Sequence, residues 1–182
     1  MSLDGRIAGP DDELGWLEEP RPRAVDSPLP TAGGEWLTFE GFTADVGVML
    51  MGRRTFDVVA DFDEWFYGDL PVIVATNRPL PAEIPPTVTG AAGTVHELVS
   101  AARALSQGRD VYVDGGRLVS AVLDAGLLDE LTTTVLPTIL GPGIGLFDAL
   151  AGPHHLDLTN VAINQGGAVQ LTWAIQNPGA GD

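Results

Sequence analysis

Three short apolar runs decide most of what this chain can become. Residues 46–51 (Val-Gly-Val-Met-Leu-Met), 71–75 (Pro-Val-Ile-Val-Ala) and 110–114 (Asp-Val-Tyr-Val-Asp) are continuous where a half-exposed strand would alternate. Runs of this length read as strands covered on both faces, which is the habit of parallel sheets, and none is long enough to span a bilayer. Helical patterns lie between and after them. Thr94 and Glu97 have capping-box spacing, and Val95, Leu98, Val99, Ala102 and Leu105 form one stripe that stops at Gly108. Phe56, Val58 and Val59 follow Gly52-Arg53-Arg54-Thr55 at helical spacing. Gly115-Gly116-Arg117 opens an apolar helix running through Ala121, Val122 and Leu123 to Gly126. Alternating strands and helices predict an α/β fold with a mostly parallel central sheet flanked by helices.

The end of the chain follows another rule. Residues 130–137 are rich in β-branched side chains and read as a strand. Residues 156–161 and 168–175 alternate apolar and polar positions around Asn164-Gln165-Gly166-Gly167, which predicts a C-terminal antiparallel hairpin. Residues 87–89 suit a short edge strand. No repeat or composition break divides the 182 residues, so one domain over 1–182 is expected.

The first third is less regular. Residues 1–9 carry turn formers on either side of a short apolar pair. They are either a hairpin-like loop or a loop over a ligand, with Asp4 near the chemistry. Residues 9–34 are rich in Pro, Asp, Glu and Gly, as in a lid, with Trp16 and Leu17 as the apolar anchor. Arg21 and Arg23, between prolines, read as solvated. Trp36, Leu37, Phe39 and Phe42 fall at helical spacing over 35–42, a core face. Glu35, Glu40 and Asp45 are acid–base candidates only if one turns into a cleft. The turn at 141–145 either touches a ligand or reverses the chain. His154-His155 has no metal-ligand spacing and His96 reads as a surface residue, so no metal is expected.

Charge narrows the function. The formal net charge is −16, with nine arginines and no lysine, a balance that repels nucleic acid and anionic membranes. The absence of cysteine excludes disulfides, thiolate catalysis and cysteine-held metal. The N-terminus has no basic segment followed by an apolar one, and the cytoplasm is the expected compartment. Yet Arg53, Arg54, Arg78 and Arg117 all fall just past the carboxyl end of an expected strand. In a parallel sheet those ends share one edge, the edge where such sheets bind ligands. Two glycines before a helix allow a sharp turn and close approach, and the helix start presents N–H groups that suit a phosphate. An anion with several phosphates accounts for the clustering. NADPH fits, with Gly115-Gly116 at the pyrophosphate and arginines near the 2′-phosphate. A smaller phosphorylated metabolite, or a module that binds nucleotide without turnover, would use the same groups.

The order Ser-Leu-Asp-Gly-Arg-Ile-Ala, Gly-Arg-Arg-Thr-Phe, Ala-Thr-Asn-Arg-Pro, Val-Asp-Gly-Gly-Arg-Leu and Leu-Pro-Thr-Ile-Leu-Gly-Pro-Gly resembles the dihydrofolate reductase-like superfamily. Within it, the sequence is most similar to the reductase domain of the riboflavin-pathway deaminase-reductases. The resemblance covers nearly the whole chain and implies a dihydrofolate reductase-like three-layer sandwich. It also implies an NADPH-dependent reductase, commonly a homodimer, acting on a pyrimidine or pteridine-type heterocycle. On this reading Gly52, Arg53, Arg54 and Thr55 hold the pyrophosphate and 2′-phosphate side. Thr76, Asn77 and Arg78 line the adenosine end, and Gly115, Gly116, Arg117 and Leu118 form the second phosphate turn. Ile7 and Ala8 face the nicotinamide. Ser2, Asp4, Trp16, Pro137 and Gly141 face the substrate, with Trp16 as a lid contact. Asp4 is the expected proton source and Glu40 the nearest counterpart of the helix-borne carboxylate of dihydrofolate reductases. The zinc-binding deaminase half is absent, as is a basic cluster for a substrate ribose phosphate in residues 35–45. The family's apolar strand ahead of Ser-Leu-Asp-Gly has no counterpart before Met1.

Overall fold

A computed structural model describes residues 1–17, 28–30 and 32–176, and all three apolar runs lie in one parallel sheet. The elements are β1 (Arg6–Ala8), α1 (Phe39–Thr43), β2 (Val46–Gly52), α2 (Arg53–Ala60), β3 (Val72–Ala75), β4 (Val88–Ala91) and α3 (Val95–Leu105). There follow β5 (Asp110–Asp114), α4 (Gly116–Asp124), β6 (Glu130–Val135), β7 (Ile144–Gly145), β8 (Leu156–Ile163) and β9 (Val169–Ile175).

The main sheet has the order β4-β3-β2-β5, every pair parallel. β2 is central and buried on both faces, as its unbroken apolar run requires. Its odd and even residues serve two cores, because successive side chains leave a strand on opposite sides. Val48 and Leu50 pack with Leu98, Val99 and Ala102 of α3 and with Leu118 and Val122 of α4. Met49 and Met51 pack with Phe56 of α2, Val72, Val74 and Val88, backed by Trp65, Tyr67 and Tyr112. Each large apolar side chain buried this completely contributes ~1.5–3 kcal/mol. The capping box at Thr94 forms as the sequence predicts, with Thr94 and Glu97 each bonding the other's backbone N–H.

The expected C-terminal antiparallel hairpin forms as β8 and β9, closed by the turn at 164–167, and β6 joins it so that β9 lies between β6 and β8 in a three-stranded sheet. The turn at 141–145 contains β7, which pairs antiparallel with β1 across most of the chain. Met1 lies along the end of β6: its ammonium donates to the Thr134 carbonyl at 2.6 Å, and the Leu136 N–H donates to the Met1 carbonyl at 2.8 Å.

Two expectations for the first third need correction. The helix over 35–42 begins only at Phe39, because the buried Gln170 amide claims the Leu37 backbone, accepting from its N–H at 2.8 Å and donating to its carbonyl at 3.0 Å. Thr38 then caps α1 by accepting from the Gly41 N–H. The loop after Gly9 is no open lid over its first part. Two short 3-10 turns, Pro10–Asp12 and Gly15–Leu17, order it, and Trp16 is buried. Arg21 and Arg23 lie outside the described residues.

Candidate functional site

The ladder register brings the ends of the parallel strands to one edge. Gly52 stands beside Ala75, and Met51 beside Asp114, so the chain leaves three neighbouring strands at residues 53, 76 and 115 together. The turn after β5 and the turn after β2 touch. Gly115 has φ +104°, and a Cβ placed on it would come within 2.6 Å of the Thr55 hydroxyl oxygen and 3.5 Å of the Gly52 nitrogen. A Cβ on Gly116 would meet the Gly145 and Leu146 carbonyls and Ile7 Cδ1, at 3.1 to 3.3 Å. The paired glycines are thus demanded by the chain's own packing as well as by any ligand. Leu118 is buried beneath Gly52, while the N–H groups that begin α4 have no partner within the helix.

On the other side of Gly52, Arg53 is held in place. It donates to Asp57 at 2.7 Å, to the Thr76 hydroxyl at 3.4 Å and to the Arg78 and Pro79 carbonyls at 3.3 and 2.9 Å. Thr76 closes its own turn, accepting from the Arg78 N–H at 3.0 Å. Arg78 reaches the other oxygen of Asp57 at 3.3 Å, so one carboxylate draws two guanidinium groups together. Beside them lies a shallow depression of about 490 Å³, formed by residues 76–80 with Gly90 and Ala92, in which Asn77 is exposed. Arg54 is not part of this group. It turns away to both carboxylate oxygens of Asp12, at 2.7 and 2.9 Å, and ties the first loop to α2. Arg117 is exposed at the start of α4 and has no side-chain partner among the described residues.

The amino-terminal loop makes a third wall. Asp4 accepts from the Ser2 hydroxyl at 2.6 Å and from the Leu140 and Gly141 N–H groups at 3.0 and 2.8 Å. These donors, Ser2 foremost, hold its carboxyl well below the usual carboxylate range. A carboxylate kept ionised in this way is a poor proton source, so the expected role of Asp4 is corrected to that of a clamp on the 140–141 turn. Arg6 reinforces the clamp through the Gly141 carbonyl at 3.1 Å. β1 carries Ile7 to the start of α4 and sets Ala8 beside the 143–144 turn, and Ser2 is fully buried. Pro137 is exposed and Gly141 sits at φ +80° in the clamped turn. Glu40 lies exposed in the first turn of α1, and Trp16 is in the core, not on a lid surface.

One acidic side chain at this edge has no forerunner in the sequence reading. Asp114 ends β5, on the same face as Tyr112 and hence on the side of α1 and α2. Burial pushes its carboxyl above the ordinary value, while the Gly115 N–H and the Tyr112 hydroxyl pull the other way. Burial likewise raises both neighbouring phenols, Tyr67 to about 12. Tyr112 stacks edge-on against Phe42 of α1 at 4.8 Å, and Tyr67 against Trp65 at 5.0 Å. Only a lone Asp before Gly-Gly marked the place, and in a sequence that reads as a turn residue.

Comparison with known proteins agrees with this geometry. A protein assigned to riboflavin biosynthesis in Shewanella sp. PV-4 is 28 % identical, covering 97 % of this chain and 95 % of that one, with a TM-score of 0.79. A diaminohydroxyphosphoribosylaminopyrimidine deaminase/5-amino-6-(5-phosphoribosylamino)uracil reductase from Thermotoga maritima matches at 18 % identity and TM-score 0.61, over 96 % of this chain and 54 % of that one. Dihydrofolate reductase from Enterococcus faecalis, complexed with NADP(H), shares the fold at TM-score 0.51 and 14 % identity, over 71 % of this chain and 74 % of that one. The family model described as the RibD C-terminal domain matches residues 1–169. A dihydrofolate reductase-like α/β chain that carries this domain's signature over nearly all its length belongs to the RibD C-terminal domain family.

Proposed function

We propose that the protein is an NADPH-dependent reductase of a pyrimidine- or pteridine-type heterocycle. The observation that carries the reading is the meeting, on one sheet edge, of the Gly52–Gly115 turns with the Arg53, Thr76 and Arg78 group. These residues fit a phosphorylated dinucleotide. The N–H groups that open α4, and Arg117 with no side-chain partner among the described residues, suit a pyrophosphate, and Arg53 with Thr76 suits a phosphate on the ribose. The bound dinucleotide supplies the hydride. The chain orients it, with Ile7 and Ala8 roofing the site and Asp4 and Arg6 fixing that roof to the 140–143 turn. Membership of the RibD C-terminal domain family and the name of the Thermotoga relative support 5-amino-6-(5-phosphoribosylamino)uracil as first substrate to try.

Titration of the protein with NADPH and NADH, followed by absorbance at the nicotinamide band with this uracil or dihydrofolate, tests the proposal. Stabilisation by NADPH and its oxidation with one substrate are expected. NADPH binding without oxidation would favour a nucleotide-binding module, and stabilisation by sugar phosphates alone a different enzyme. Arg53→Ala should weaken NADPH by about ten- to a hundredfold more than NADH, the worth of a charge-assisted pair at ~1.5–3 kcal/mol. Equal losses for both would remove Arg53 from the 2′-phosphate. A homodimer is part of the same proposal, and light scattering of the eluted protein checks it.

A further inference from the structure

We propose that one face of the β6-β9-β8 sheet, the face centred on Trp173, is where a second copy of this chain docks. The proposal rests on the homodimer suggested above and supplies its interface, and it does not depend on the reductase chemistry.

The two faces of that sheet differ in character, and they are buried the wrong way round. The register puts Trp173 of β9 beside Leu131 of β6 and Leu158 of β8, and it puts Leu171 beside Thr133 and Val161. Side chains paired in this way share one face, and the alternate residues of each strand continue it with apolar groups. Gln170 and Thr172 project from the other side. An antiparallel sheet with one solvated face normally turns its apolar side to the core. Here Gln170 is 5 % and Thr172 8 % exposed. The 34–37 segment is bonded across that side, with Gln170 holding the Leu37 backbone and the Asn160 amide donating to the Glu35 carbonyl at 3.0 Å. On the apolar face burial reaches Leu131 and Thr133 of β6 and stops. Leu171 and Trp173, on the central strand, are half-buried, and Leu158 is 51 % exposed. Among the described residues, no member of this face belongs to either hydrophobic core.

β8 is built to keep that face apolar. Its apolar positions alternate through Leu156 and Leu158, then lose step and resume at Val161 and Ile163. Thr159 has no partner in the register, and this bulge returns Leu158 and Val161 to the same side. The Thr159 hydroxyl secures the bulge by donating to the Thr172 carbonyl at 3.0 Å.

Charge selects the occupant. With a net charge of −16, two copies repel one another over most of their surface. The Trp173 face carries no charged side chain, whereas Glu130 and Asp157 stand on the opposite face. Two copies can therefore meet here without taking a carboxylate out of water. A flat apolar sheet is also complementary to itself, so a two-fold axis near β9 would lay the same patch of both copies together.

Sedimentation velocity of the full chain over a concentration series decides it. Wild type should run at twice the mass of one chain, and added sodium chloride should tighten the dimer by screening the repulsion between copies. Leu158→Asp changes a position the single chain leaves open. It should weaken the dimer by about a hundredfold, since each copy then brings an unpaired carboxylate into the contact. Glu130→Gln, on the opposite face, should leave the dimer as it is. In wild-type protein carrying 5-fluorotryptophan, the signal missing from Trp173→Phe should shift on dilution from dimer to monomer, a readout that needs no charged variant to fold. A chain that stays monomeric at every concentration overturns the homodimer and its face together, including the case in which a different protein covers the face. A dimer that survives Leu158→Asp, or a Trp173 signal that ignores dilution, overturns the face alone. The NADPH titration is read independently, so the reductase proposal stands or falls apart from this one.

Discussion

At the scale of single residues, the same chemical group behaves in opposite ways at two places. Asp4 is surrounded by donors that hold its carboxyl below the usual range, whereas partial burial pushes the carboxyl of Asp114 above it. The pH dependence of stability follows with opposite signs. The native carboxyl of Asp114 titrates above its unfolded counterpart, so the folded state binds the extra proton. Its contribution is complete below the unfolded value near ~4 and is lost as pH rises from there through the native value. Asp114→Asn should therefore gain thermal stability relative to wild type as pH climbs through that window, and show no such gain in strong acid. For Asp4 the native value is the lower one. Its contribution is present above the unfolded value and fades as pH falls through the native one. Asp4→Asn should accelerate hydrogen exchange at the Leu140 and Gly141 amides at neutral pH, which a two-dimensional amide spectrum reads directly. Little of this was legible in the sequence. The arginines could be placed because their position after a strand is a matter of order along the chain. The raised carboxyl of Asp114 depends on its burial by the fold, and no local pattern announces it.

At the scale of elements, what was legible divides by length and period. The buried strands β2, β3 and β5 and the capped helix α3 were evident because each repeats its signal over several residues. β7 has two residues, too few for any periodicity, and it exists because β1 offers it a ladder. α1 was read too long because the Gln170 side chain outcompetes helix formation for the Leu37 backbone. Two substitutions probe these elements. Gly115→Ala should cost ~1–3 kcal/mol in chemical denaturation, since it puts a side chain at φ +104° and against Thr55. Adding Thr55→Ala should recover only the steric part. Thr94→Ala removes the cap of α3 and should cost ~0.5–2 kcal/mol without touching NADPH binding.

At the scale of the whole molecule, acidity is the background against which the site works. With a net charge of −16, exposed carboxylates repel one another, and added salt screens that repulsion over about 10 Å at 0.1 M. The exposed Arg–Asp pairs weaken too, but each is worth only ~0–1 kcal/mol. Tm should therefore rise as sodium chloride is added from low concentration, and a fall would mean that the ion pairs matter more than the repulsion. One feature of the topology has a temporal meaning. Arg6 is in register with Gly145, and Ile7 comes to rest on Gly116 only through that pairing. On the ribosome, the parallel strands and their terminal turns can assemble while the first residues still lack their partner. The nascent protein thus passes through an interval with the turns after β2, β3 and β5 formed and the β1 cover hanging loose, open to a protease, until translation has moved beyond β7.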